Sequence, residues 1–128
     1  GGERARVQLA RVFAQIWEPC PGGPDMLLLD EPTAPLDIAH QLELMRHLRT
    51  LAARDIGVLL IVHDINLAAA HADRILLLRD GRLRVEGTPQ AVLTREHLRA
   101  VFDVEARVEC LSHARPQVVF EACTRRAA

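Results

Sequence analysis

Lysine is missing from this chain: all 16 basic residues are arginine. Motifs that need a lysine are therefore not here, the phosphate-cradling loop G-x-x-x-x-G-K-[ST] among them. Nor is there an excess of charge of one sign. With 17 acidic residues the formal net charge is -1, which leaves no global electrostatic case for a nucleic acid partner. Cysteine is scarce. Cys20, Cys110 and Cys123 are odd in number, widely spaced and form no C-x-x-C. That argues against a disulfide framework and a zinc site, and fits a reducing compartment. No apolar run approaches the ~18 residues that a membrane span needs. There is no internal repeat and no low-complexity segment. There is also no initiator methionine. The chain opens on "GGERARVQLA", in what reads as a functional turn, and the expectation is a fragment or a reading frame cut at its front.

What is there is globular. The chain has 128 residues, 49% hydrophobic and 26% charged, enough for one small domain or a piece of a larger one. Leu9, Val12, Phe13, Ile16 and Trp17 fall on one face of an amphipathic helix, which must stop at Pro19. "DMLLLD" (25–30) has the pattern of a fully buried parallel strand. Helical spacing returns at Ile38, Leu42, Met45, Leu48 and Leu51, and Gly57 is expected to end that helix. "VLLIV" (58–62) reads as a second buried strand, followed by His63 and a short helix from Ile65 to Ala72. "RILLLRDGRLRVEG" (74–87) predicts a hairpin turning at Asp80-Gly81. Thr88-Pro89 starts a helix, Thr94 caps another over 95–102, and the tail from Val104 alternates as strands do. Helix alternating with strand predicts an α/β fold with a parallel sheet.

In open α/β sheets, ligands bind outside the carboxyl ends of the strands. Both predicted strands end in polar residues there: Asp30-Glu31 after the first, His63-Asp64 after the second. Neighbours on a strand point to opposite sides, so the two acids need not share one environment. One acid can hold Mg²⁺, directly or through a water. The other can polarise an attacking water. Pro32 fixes φ and helps end the pairing. An acid after a strand is otherwise an ordinary turn or capping residue, and a histidine after one is often a satisfied core residue. The ordered set of apolar strand, D-E-P, Leu36-Asp37 and a second strand ending in histidine outweighs those bland alternatives.

That set resembles the ATP-binding subunits of ABC transporters, over residues 1 to about 95. "GGERARVQLARVFAQ" looks like the end of the signature motif and its helix, and "LLLDEP" like Walker B. "APLD" is similar to the D-loop, and "LLIVHDINLA" to the switch-histidine segment. "ADRILLLRDGRLRVEGTPQAVLT" looks like the hairpin and helix that follow. The resemblance implies the C-terminal portion of a P-loop (RecA-like) cassette. Residues 1–18 would hold the signature end and its helix, 25–37 Walker B and the D-loop, 58–72 the switch histidine, and 74–128 the hairpin, helices and tail. It also implies roles. Asp30 would serve Mg²⁺ and Glu31 would be the general base for the water attacking the γ-phosphate of ATP. His63 would contact that phosphate. Ala34, Pro35, Leu36 and Asp37 would lie at a dimer interface. Gly1 and Gly2 would bind the ATP of the opposite subunit, which fits the close approach that glycines at a helix N-terminus allow an anion. The implied partners are a second ATPase subunit, transmembrane permease subunits and, indirectly, a periplasmic substrate-binding protein. The implied location is the cytoplasmic face of the bacterial inner membrane, peripheral to it.

Within the family, "AQIWEP", "LDIAHQ" and "HDINLAAAHADRILLL" are most similar to the hemin-importer ATPases. Ferric-siderophore and cobalamin importers share "HDLNLA"-like segments and are the alternative. A soluble, non-transport ABC ATPase and a non-catalytic remnant with an aggregation-prone open sheet are the readings from other classes. Two departures stand out. The D-loop usually reads Ser-Ala-Leu-Asp, where this chain has Ala34-Pro35-Leu36-Asp37. The Walker A and glutamine loops are absent, so these residues alone are expected neither to bind ATP well nor to hydrolyse it. His40 and His47, seven apart on one predicted helix, are expected to be solvated rather than ligands of heme.

Overall fold

The computed structural model describes residues 2–15, 21–22, 25–110 and 114–125. Gly1, Ile16, Trp17, Pro19 and Cys20, which figure in the sequence expectations, lie outside them. The chain forms two compact units, Gly1–His63 and Asp64–Ala128.

The first unit opens with α1 (Gly2–Gln15). Its strands β1 (Met26–Asp30) and β2 (Gly57–Ile61) pair in parallel, from Met26 opposite Gly57 to Asp30 opposite Ile61. Between them runs α2 (Ile38–Ala52), which packs on β2. The expected parallel pair is therefore present, but its burial is one-sided. Leu27 and Leu29 are buried, whereas Met26 and Leu28 on the opposite face are 63% and 66% exposed. In β2 the pattern runs exposed and half-buried by turns. An apolar run gives no period by which to tell one covered face from two.

Helix α2 also turns a different face inward from the expected one. Leu44, Met45, Leu48 and Leu51 are buried, while Ile38 and Leu42 stand exposed. Leu44 supplies the contact that the spacing argument gave to Leu42. The helix ends before Gly57, which is instead the first residue of β2. Asp55 makes the stop: its φ is 61°, and the amides of Asp55 and Ile56 reach back to the carbonyls of Ala52 and Leu51. This is a Schellman closure, and Ile56 and Leu51, the positions whose side chains commonly accompany it, are both buried. A left-handed aspartate carries a steric cost that glycine avoids. Asp55→Gly should therefore raise the stability of this unit by about 0.5–1 kcal/mol, read as a higher denaturant midpoint at unchanged slope.

The second unit follows the sequence closely. Strands β3 (Ile75–Arg79) and β4 (Arg82–Gly87) form an antiparallel hairpin. Asp80 and Gly81 both have positive φ, 53° and 68°, as the tight turn that matches strand twist requires. Helix α3 (Ile65–His71) is capped by the Asp64 carboxylate, which accepts from the amides of Asn66 and Leu67. Helix α4 (Pro89–Val92) starts at the Thr88 cap with proline in its first turn, and α5 (Arg95–Phe102) starts at the Thr94 cap. Strands β5 (Val104–Glu109) and β6 (Gln117–Cys123) close a second antiparallel pair. The Asn66 side chain lies along β6, donating to the Val118 carbonyl at 2.9 Å and accepting its amide at 2.7 Å. The core gathers Ala69, Ile75, Leu77, Val92, Leu93 and Leu98 with Val101, Ala106 and Val118.

Candidate functional site

The parallel pairing brings the ends of β1 and β2 side by side, and with them the residues singled out in the sequence. Asp30 closes β1 and is exposed. Glu31 leaves the strand with φ 47° while its amide still donates to the Ile61 carbonyl at 2.9 Å. A glutamate in the left-handed region costs about 1–2 kcal/mol, and such residues concentrate at functional sites. The bend takes Glu31 out of strand geometry. Its side chain reaches His63, which follows β2 after Val62, and the His63 Nε2–H donates to Glu31 Oε1 at 2.5 Å. Both groups face solvent, the histidine side chain at 81% exposure and the glutamate at 43%.

The sequence placed Glu31 and His63 at one sheet edge with separate tasks; it gave no sign that they would bond to each other. That bond depends on register and on the backbone bend at Glu31, neither of which has a local signature. With Oε1 occupied by the histidine, Oε2 remains to accept from a water. Carboxylate oxygens on Asp30 and Glu31 suit Mg²⁺, which keeps several waters and takes few protein ligands beside phosphate oxygens. Among the described residues no group of three or more His, Cys, Asp or Glu could hold a metal by itself. The donor set thus fits an ion completed by phosphate and water. A groove of about 530 Å³ between α1 and α2 is lined by neither acid nor by His63.

After Glu31 come two overlapping turns, closed by Ala34 N–H to the Glu31 carbonyl (3.3 Å) and Leu36 N–H to the Thr33 carbonyl (3.0 Å). These amides flank Pro35, so the proline's missing N–H takes nothing from either bond. Of the four expected interface residues, Ala34, Pro35 and Asp37 are exposed and Leu36 is buried. Asp37 caps α2, accepting from the His40 amide at 2.9 Å and from the His40 Nδ1 at 2.7 Å. His40 is accordingly not the solvated helix histidine that its spacing suggested. It is half-buried and also takes a contact from Arg6. His47 lies 4.0 Å from Glu43. Gly2 is the first residue of α1.

The backbone hydrogen bond from His40, then the one from its ring, hold the Asp37 carboxyl below the usual aspartate range. A lowered folded pKa means that the cap's stabilisation is present above the unfolded value, roughly pH 4. It is lost as pH falls through the lower folded value. Asp37→Asn should therefore flatten the acid loss of helical circular dichroism below about pH 4 relative to the parent chain.

The fold resembles that of ABC transporter ATPases. One solved structure, described as an inward-facing conformation of a metal-chelate type ABC transporter, superposes at a TM-score of 0.65 and 29% identity over 76% of this chain and 40% of its own. The homologues of the chain are ATP-binding proteins of that class, named for hemin import. The Hemin import ATP-binding protein HmuV of Rhodopseudomonas palustris is 47% identical over all of this chain and 48% of its own length. That of Hahella chejuensis is 44% identical over 94% of this chain and 48% of its own, and that of Gloeobacter violaceus 52% over 84% and 39%. The chain thus spans less than half the length of these relatives. No protein-family model matches it.

Proposed function

We propose that this chain is the catalytic-base side of an ATP-hydrolysing subunit that energises a hemin ABC importer. The Glu31–His63 hydrogen bond at the end of the parallel strands carries the proposal. Glu31 Oε2 takes the proton of the attacking water, and the histidine fixes the carboxylate's orientation. Asp30 holds Mg²⁺, which supplies charge stabilisation at the phosphates when bound. Gly1 and Gly2 bind the ATP of a second subunit, and residues 34–37 meet that subunit. The parent works as a pair on the cytoplasmic face of the inner membrane, beneath permease subunits that a periplasmic binding protein supplies. No helix described here is long and apolar enough to cross a membrane. The metal-chelate neighbour favours a second cargo, a ferric chelate.

The phosphate cradle has to come from elsewhere, since the chain contains no lysine. The isolated 128 residues should therefore show no Mg-ATPase activity. A chimera in which the chain continues the half of the Rhodopseudomonas palustris relative that it does not span should hydrolyse ATP. In vesicles with that organism's permease it should drive hemin uptake. An active isolated chain, or an inactive but folded chimera, sinks the proposal; uptake of a ferric siderophore in place of hemin moves it to the second cargo.

A further inference from the structure

We infer that Arg6, His40 and Gln41 are positioning residues, a brace that sets the loop following the two acids and, through it, the Glu31–His63 pair. What the positioned pair does for hydrolysis rests on the function proposed above; the brace itself does not.

The bonds form one connected path. The Gln41 side-chain amide donates twice, to the Thr33 carbonyl at 3.1 Å and to the Leu36 carbonyl at 3.2 Å. Thr33 is buried, and its carbonyl also accepts from Leu36 N–H, so both of its lone pairs are engaged. Two residues earlier in the loop, Ala34 N–H closes on the carbonyl of Glu31 itself. The side chain of Gln41 therefore holds the far end of the turn whose near end is the left-handed glutamate. His40, the residue before it, holds the end of the loop through Asp37. Arg6 on α1 reaches His40 Nε2 at 3.3 Å.

Donor chemistry fixes the state of His40. A carboxylate can only accept, so Nδ1 must carry a hydrogen toward Asp37. A guanidinium can only donate, so Nε2 must present a lone pair to Arg6. Only the neutral Nδ1–H tautomer satisfies both. Free neutral imidazole favours the other tautomer, so this state is a signature of the brace and not a default. The charged and titratable groups gathered there are Asp37 and Glu43 on the α2 side and Arg6 on α1, with His47 and Arg54 along the same groove.

The test needs no nucleotide and uses the whole chain. In histidine-labelled protein at neutral pH, the nitrogen resonances of His40 should show Nδ1 protonated and Nε2 as an acceptor. Arg6→Met should shift the Nε2 resonance, which loses its donor, and leave Nδ1 protonated toward Asp37, without unfolding the chain. Gln41→Met removes both donations at constant length. It should speed exchange of the Leu36 amide roughly 2- to 10-fold. It should also move the His63 ring signals toward those of Glu31→Gln. His40→Asn, which can still donate to Asp37, should keep the loop protected, whereas His40→Gln should not. An Nε2–H His40 in the parent chain overturns the brace. His63 signals unmoved by Gln41→Met would make Gln41 a helix anchor with no hold on the acid. Failure of the ATPase proposal would appear in the chimera and leave these spectra unchanged.

Discussion

Glu31→Gln should leave the active chimera able to bind MgATP but nearly unable to turn it over, with kcat reduced by about 10²- to 10⁴-fold. The substitution is informative because it preserves shape. Glutamine can keep an oxygen at the Oε1 position and go on accepting from His63 Nε2, so the bond observed at 2.5 Å can persist. What it loses is the capacity to accept a proton. KM for ATP should accordingly stay within a few-fold, and a single-turnover measurement should show nucleotide bound but uncleaved. His63→Ala removes the donor and leaves the base free to rotate, so its loss should come from orientation. A loss of about 10²-fold is the size that a misplaced group produces. A Glu31→Gln chimera retaining more than about a tenth of parent kcat would assign the base elsewhere. The ordering of the two effects matters as much as their size. If His63→Ala costs more than Glu31→Gln, the histidine is the proton acceptor and the glutamate its orienter.

The sequence was most legible where a rule is local. The Asp80-Gly81 turn, the Thr88-Pro89 start and the Thr94 cap each depend on a handful of adjacent residues, and each lies where its signal put it. The Asp30, Glu31 and His63 positions were legible for a different reason, since apolar runs ending in polar groups mark strand ends in an α/β sheet. Legibility fell where the outcome depended on residues far apart. Whether Leu42 or Leu44 faces inward is decided by what α2 packs on, and both satisfy a helical period. The end of that helix was misassigned to Gly57 because glycine is the common left-handed residue, while Asp55 tolerates the same conformation. The one-sided burial of β1, the hydrogen bond between Glu31 and His63, and the tie of His40 to Arg6 all join segments separated along the chain. Composition and period carry no information about them.

Leu98→Ala should be the most damaging single change in the second unit, costing about 2–5 kcal/mol. Leu98 has 0% of its surface exposed and sits on α5 among the core residues of that unit. Helix α5 packs on both β3 and β5, so a cavity there loosens two sheets at once. The unit runs from Asp64 to Ala128, a size at which total stability is only about 3–10 kcal/mol. Removing the larger part of that should lower its melting temperature by more than about 10 °C, since each kcal/mol is worth about 4–8 °C in a domain this small. Leu98→Met nearly conserves volume and should cost less than about 1.5 kcal/mol. Leu83→Ala provides the contrast, because Leu83 is 51% exposed on β4 and its truncation should stay within about 0.5 kcal/mol. Amide exchange along β5 and β6 reads the unit directly. Protection there should collapse in Leu98→Ala and persist in Leu83→Ala. Equal protection in the two variants would mean that α5 does not close this core.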